Sequence, residues 1–261
     1  MAHSKAPLRP DRLRNLPAVS EQPESVPEVG RPRDGLKHRL ARWVARRFFE
    51  PEGLIETSTV VKLDEVGLDS DERVGYWPTP RFVVPLVLRR LRVRRDDVFL
   101  DFGSGKGRVA RQAARFPFKR VIGVELAEDF NRIARHNIEV SRDRLKCNDV
   151  QLVTADVVTY EIPDDVTIAY FFHPFEGEIF ARVVENLVAS LDRNPRDLRI
   201  VYVLPMMADL ILETGRFEVE RRMRAPHPPA LRNWYEVLIF RNKPADRLDE
   251  GRAHAREHEG L

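Results

Sequence analysis

The sequence contains one cysteine, Cys147, so it can form neither an intrachain disulfide nor a multi-cysteine zinc site. That fits a reducing compartment, and no metal site is expected. It has no apolar run long enough to span a bilayer. Its first residues also lack the apolar core of a signal peptide, so a soluble cytoplasmic protein is the expectation. A dominant charge is missing too: 44 basic against 41 acidic side chains leave a formal +3. Such a mixed surface points away from nucleic acid and from a membrane, and names no other partner or oligomeric state. What the 261 residues do have is 43% hydrophobic and 33% charged side chains, enough for one sizeable α/β domain and an appended segment. The 19 prolines crowd toward the start, so the globular part begins some way in.

Along the chain, residues 1–35 are rich in Pro, Arg, Glu and Ser and read as a flexible tail. Residues 36–80 read as an N-terminal helix and an arm or lid. Within them, Leu40, Trp43, Val44, Phe48 and Phe49 fall near helical spacing, and the stretch from Ile55 to Asp71 looks extended. In Tyr76-Trp77-Pro78-Thr79-Pro80, Thr79 is placed to cap a helix from Arg81 to Arg92, with Pro80 in its first turn. Residues 81–242 form the domain proper. Strands are expected at Val98 to Phe102, Arg120 to Glu125, Val150 to Thr154, Thr167 to Phe171 and Leu198 to Leu204. Helices are expected at Gly107 to Arg115, Ala127 to Val140 and Glu176 to Leu191. Two closing strands, Phe217 to Met223 and Trp234 to Phe240, flank a loop from Ala225 to Pro229. The alternation implies an α/β fold of the Rossmann type, a parallel sheet with helices on both faces and an antiparallel addition at one edge. Residues 243–261 are a charged tail.

The residues that carry chemistry begin at Val98-Phe99-Leu100-Asp101-Phe102-Gly103-Ser104-Gly105-Lys106-Gly107, an apolar strand running into three alternate glycines and then a helix. Glycine is needed where a backbone turns tightly or a ligand approaches closer than a Cβ permits. The spacing is GxGxG, not the GxGxxG of dinucleotide sites, and Asp101 stands just ahead of the first glycine. A carboxylate there disfavours a pyrophosphate and favours a cation, such as the ammonium and sulfonium of S-adenosyl-L-methionine. About twenty residues on, Val121-Ile122-Gly123-Val124-Glu125 ends in an acid that can accept both ribose hydroxyls. Asp156, after the next strand, can accept from an adenine amino group or serve as a turn residue.

Three acids after three successive strands resemble the class I S-adenosylmethionine-dependent methyltransferase family, over about Val74 to Phe240. The resemblance implies a seven-stranded sheet in the order 3 2 1 4 5 7 6 with strand 7 antiparallel. It also implies that Asp101, Gly103 and Gly105, with Ser104 and Gly107 of the same loop, hold the methionyl part. Glu125 then binds ribose and Asp156 lies at the adenine. Together with the loop, Tyr76-Trp77-Pro78-Thr79-Pro80 resembles a bacterial subgroup of the family and, at greater distance, methyltransferases that modify protein lysines.

After the fourth strand the family places its reaction centre, and here the residues are Phe171-Phe172-His173-Pro174-Phe175. This departs from the Asn-Pro-Pro-aromatic or Asp-Pro-Pro-aromatic pattern of enzymes acting on adenine or glutamine. His173 has two readings, a general base or a hydrogen-bonded wall residue. Phe172 and Phe175 stack on adenine or substrate, or are core. Tyr76 is the other candidate at the methyl group, from a segment that either folds over as a lid or forms a structural elbow. The expected function is methyl transfer to nitrogen or oxygen of a small molecule or protein side chain. The rivals are a nicotinamide-dependent oxidoreductase, disfavoured by Asp101 and the GxGxG spacing, and a non-catalytic partner-binding module.

Overall fold

Five consecutive residues with no exposed position, Val98–Phe102, form β1, because a strand covered on both faces and flanked on both edges needs an apolar side chain at nearly every step. The computed structural model describes residues 79–80, 82–227 and 233–244, all within one unit of the chain, Leu40–Leu261. The segment 36–78, including the expected N-terminal helix and Tyr76, lies outside the described residues, as do the N-terminal tail and the C-terminal tail beyond residue 244.

The elements follow the alternation expected: α1 Val83–Leu91, β1, α2 Arg108–Ala113, β2 Arg120–Glu125, α3 Glu128–Glu139, β3 Val150–Thr154 and β4 Ile168–Phe172. Then come α4 Gly177–Arg193, β5 Arg199–Val203, α5 Ala208–Glu213, β6 Phe217–His227 and β7 Asn233–Asn242. The sheet has seven strands in the order β3-β2-β1-β4-β5-β7-β6. Neighbours from β3 to β5 pair parallel, while β7 is antiparallel to both β5 and β6. Order and direction are those the resemblance implied. Helices cover both faces, and each face has its own core. One is built on Leu100, Phe102, Phe171 and Tyr202, the other on Phe99, Val121, Tyr170 and Ile239. In α4, Phe180, Val183, Val184, Leu187 and Leu191 recur at helical spacing and are the residues it buries against the first core.

Two expectations fail. Thr79 does not cap α1, whose N-cap is Phe82 with no side-chain cap bond. Thr79 is instead buried, with its carbonyl accepting from Arg108 Nη1 at 3.4 Å. The expected loop from Ala225 is in its first part strand, because β6 continues to His227. Pro226 lies in β6, an edge strand paired on one side only, which is where a sheet accommodates proline.

The order also locates a crevice. From β1 the chain steps outward through β2 to β3, then returns to place β4 on the other side of β1. The turns leaving β1 and β4 therefore part company at their carboxyl ends, the point where open α/β sheets bind ligands.

Candidate cofactor and acceptor site

The turn after β1 is held in shape by the exit of β2. Both Gly103 N–H and Ser104 N–H donate to the Val124 carbonyl, at 2.9 and 3.0 Å, and Gly107 N–H donates to the Ser104 carbonyl at 2.9 Å. Gly103, Gly105 and Gly107 have φ of +70, +52 and +74°, a left-handed conformation at alternate positions that L side chains rarely adopt. The GxGxG spacing is thus a conformational requirement in its own right. At two of these positions, the neighbour a side chain would strike belongs to the protein. A Cβ on Gly103 would lie 2.7 Å from Pro174 Cβ, and one on Gly107 would lie 2.7 Å from Ala134 Cβ in α3.

Asp101 is buried at the sheet's centre, in register with Gly123 on β2 and Tyr170 on β4. Among the described residues, its Oδ2 and the Oγ of buried Ser104 have no hydrogen-bond partner. Burial, reinforced by the charge of Glu125, holds the Asp101 carboxyl well above the usual carboxylate range. The same burial, with the Asp101 charge, raises the Tyr170 hydroxyl. A buried acid with an orphaned oxygen is poised to ionise against an arriving cation, so these residues fit the ammonium of a methionyl group.

A stability consequence follows from that carboxyl. In the folded chain Asp101 keeps its proton to a higher pH than in the unfolded chain. Between the two values the folded state binds more protons, so stability falls as pH rises from the ordinary carboxylate range, and is full below it. Urea midpoints should decline upward from about pH 4, and the slope should shrink in Asp101→Asn. An unchanged slope in that variant would refute the assignment.

Glu125 ends β2 and is nearly buried. Its Oε2 accepts from Gly105 N–H at 2.7 Å and its Oε1 from Ala127 N–H at 2.9 Å. Burial pushes the Glu125 carboxyl up, while those backbone donors and Leu126 N–H pull it down. With about four acceptor sites, the carboxylate keeps room for a hydroxyl donor such as a ribose. Asp156 follows β3 and forms a turn: its Oδ1 accepts from Val158 N–H at 3.0 Å, and its carbonyl accepts from Thr159 and Tyr160 N–H. Ala155 N–H, next to it, bonds the Glu125 carbonyl at 3.0 Å, so the two acids sit on adjoining strand ends.

The turn after β4 supplies the remaining candidates. Phe172 is half-buried and meets Tyr235 edge-on, ring centroids 5.6 Å apart. Burial pushes the Tyr235 hydroxyl up to about 12. Phe175 is buried against Phe171 and Phe180 and belongs to the core. His173 has φ +43°, with Nε2 2.7 Å from Glu176 Oε1 and Nδ1 3.4 Å from the Tyr202 hydroxyl. Sequence reasoning missed Glu176 and Tyr202, and it missed why Gly123 is a glycine. A Cβ there would stand 2.8 Å from Ser104 Oγ, so Gly123 lets the loop settle on β2. A glycine within a strand pattern was the available signal.

Comparison with known proteins adds to this geometry. Residues 77–164 match the family model described as histone methylation protein DOT1. A protein-lysine N-methyltransferase of Saccharolobus islandicus is 42% identical over 67 residues, 25% of this chain and 42% of that protein. An O-methyltransferase of Pyrenophora dematioidea is 26% identical over 181 residues, 63% of this chain and 59% of that protein. The chain thus spans about half the length of the curated relatives it matches. Among solved structures, an RNA methyltransferase from Salinibacter ruber in complex with S-adenosyl-L-homocysteine has 23% identity and a TM-score of 0.46. That likeness covers 65% of this chain and 97% of that one.

Proposed function

We propose that this chain is an S-adenosylmethionine-dependent methyltransferase acting on nitrogen or oxygen of a protein side chain or small molecule. The observation that carries the reading is Asp101, a buried carboxyl with an orphaned oxygen at the glycine turn. It suits a cation and would repel the pyrophosphate of a nicotinamide dinucleotide. In this reading Asp101, Gly103, Ser104, Gly105 and Gly107 hold the methionyl part, Glu125 accepts from the ribose, and Asp156 and Phe172 border the adenine. When bound, S-adenosylmethionine supplies a methyl group on a sulfonium, an activated donor for in-line displacement. The chain's own residues then have to align the acceptor and exclude water, which supplies most of the rate without a dedicated base. Tyr76 is assigned to the acceptor side.

A protein-lysine amine is the acceptor we favour. The match to the DOT1 family model, over residues 77–164 that carry the glycine turn, and the Saccharolobus islandicus relative support it. A small-molecule hydroxyl is the second reading, supported by the longer alignment with the Pyrenophora dematioidea O-methyltransferase. Thermal-shift titration is the first test. S-adenosylhomocysteine at a hundredfold excess over its dissociation constant should stabilise the protein by about 2.7 kcal/mol, and NAD(H) should not. The reverse result would reject the reading. Tritiated methyl transfer to peptides carrying lysine, compared with phenolic small molecules, then separates the two acceptors.

A further inference from the structure

We infer that Glu176 is a positioning residue: through the His173 imidazole and the Tyr202 hydroxyl it ties the turn after β4 to the turn after β5. Its effect is to keep Pro174 seated on Gly103 of the glycine turn. The meaning of this tie for binding rests on the reading of that turn as a cofactor site.

For a neutral imidazole, the two ends of the tie set the direction of every hydrogen bond in it. Glu176 Oε1 can only accept, so the proton between it and His173 Nε2, 2.7 Å away, sits on the nitrogen. A neutral imidazole protonated at Nε2 has Nδ1 as its acceptor, and the Tyr202 hydroxyl lies 3.4 Å from it. Tyr202 is fully buried, and burial raises its hydroxyl, so the proton stays on oxygen and is donated to Nδ1. At the far end the Met207 N–H, which can only donate, points at the Tyr202 oxygen from 3.4 Å. His173 and Tyr202 thus each donate once and accept once, and the polarity runs one way from the backbone before α5 to a half-exposed carboxylate.

The turn has reason to be held. His173 is one of only three non-glycine residues with positive φ among the described residues, and Gly177, at +54°, ends the same turn. Left-handed conformations of side-chain-bearing residues persist where neighbours over-determine them. Phe175 anchors the turn in the core below, and the imidazole secures it from the side. Between them stands Pro174, whose Cβ occupies the space a Gly103 side chain would need. With both ring nitrogens committed, His173 shapes the acceptor space and does not take a proton from the acceptor.

The test uses the full chain with 15N-labelled histidine. The His173 ring should show the Nε2–H tautomer in the wild type and in Glu176→Gln, whose amide oxygen accepts the same proton. In Glu176→Ala the ring should become a mixture of tautomers. Calorimetry should show S-adenosylhomocysteine binding about three- to tenfold weaker to Glu176→Ala, and unchanged within about twofold for Glu176→Gln. An Nδ1–H tautomer in the wild type overturns the inference. So does Glu176→Gln as damaging as Glu176→Ala, because a need for charge means that His173 becomes imidazolium as a base. A wild type that shows the Nε2–H ring yet fails to bind S-adenosylhomocysteine rejects the methyltransferase reading alone and leaves the tie standing.

Discussion

Asp101→Asn should lower the affinity for S-adenosylhomocysteine about a hundredfold while leaving the fold intact. Asparagine matches aspartate in shape, so the β1 register with Gly123 and Tyr170 has no steric reason to change. What is lost is the ability to carry a negative charge opposite the ammonium. Removing one partner of a buried charge pair costs about 2–5 kcal/mol, and about 2.7 kcal/mol corresponds to two decades in the dissociation constant. The raised carboxyl adds a second signature. Free Asp101 keeps its proton to a higher pH than an ordinary carboxylate, and over that range, on the proposed reading, the arriving ammonium drives the proton off. Calorimetry in buffers of different ionisation enthalpy should therefore detect proton release on binding to the wild type, reduced in Asp101→Asn. Affinity should rise with pH over the same range. A variant that binds within threefold of wild type would show that the cation is held elsewhere.

Gly107→Ala should destabilise the domain by about 3 kcal/mol, with a correspondingly lower melting temperature, by roughly 6–12 °C for a chain of this size. Two costs combine there. The backbone sits at φ +74°, where a Cβ is strained by about 1–3 kcal/mol. The added carbon would also stand 2.7 Å from Ala134 Cβ and 3.2 Å from Ala134 Cα. The second contact is with backbone, so α3 itself would have to move. Gly215→Ala is the control, since its φ is +69° but nothing lies within 4 Å of the added carbon. It should show the conformational cost alone. Equal losses at the two positions would refute the packing contribution.

The parallel strands were legible because their apolar-rich runs are short and bounded by turns. β2 and β3 begin and end at the residues expected from pattern. α5 was not legible: it has six residues and buries only Ile211 fully, too little to raise a helical period above the background. The cap expected of Thr79 failed for a different reason. A threonine ahead of a helix is a local signal, but the helix begins only after Phe82, and Thr79 is buried with its carbonyl bonded to Arg108, twenty-nine positions further on.

In the candidate site, the three left-handed glycines could be anticipated from their spacing, but what they face could not. The space beside Gly103 belongs to Pro174 and that beside Gly107 to Ala134, both distant in sequence. Asp156 shows the limit from the other side. Its turn bond to Val158 N–H is the local role that an aspartate after a strand suggests, made by the same side chain that the adenine reading uses. His173 could be singled out from its position after β4, whereas its partner Tyr202 comes from β5 and becomes visible only once β4 and β5 are paired.

Glu125 bears on how tightly a ligand can be held for a given set of contacts. Its two oxygens bridge the turn leaving β1 and the turn leaving β2, so the carboxylate is fixed and largely stripped of water by folding itself. In the proposed ribose role, an arriving hydroxyl would meet an acceptor that has no rotamers left to lose and little hydration left to shed. The ordering cost of about 0.5–1.5 kcal/mol for each side chain immobilised on association falls at this position on folding, and affinity there is set by preorganisation.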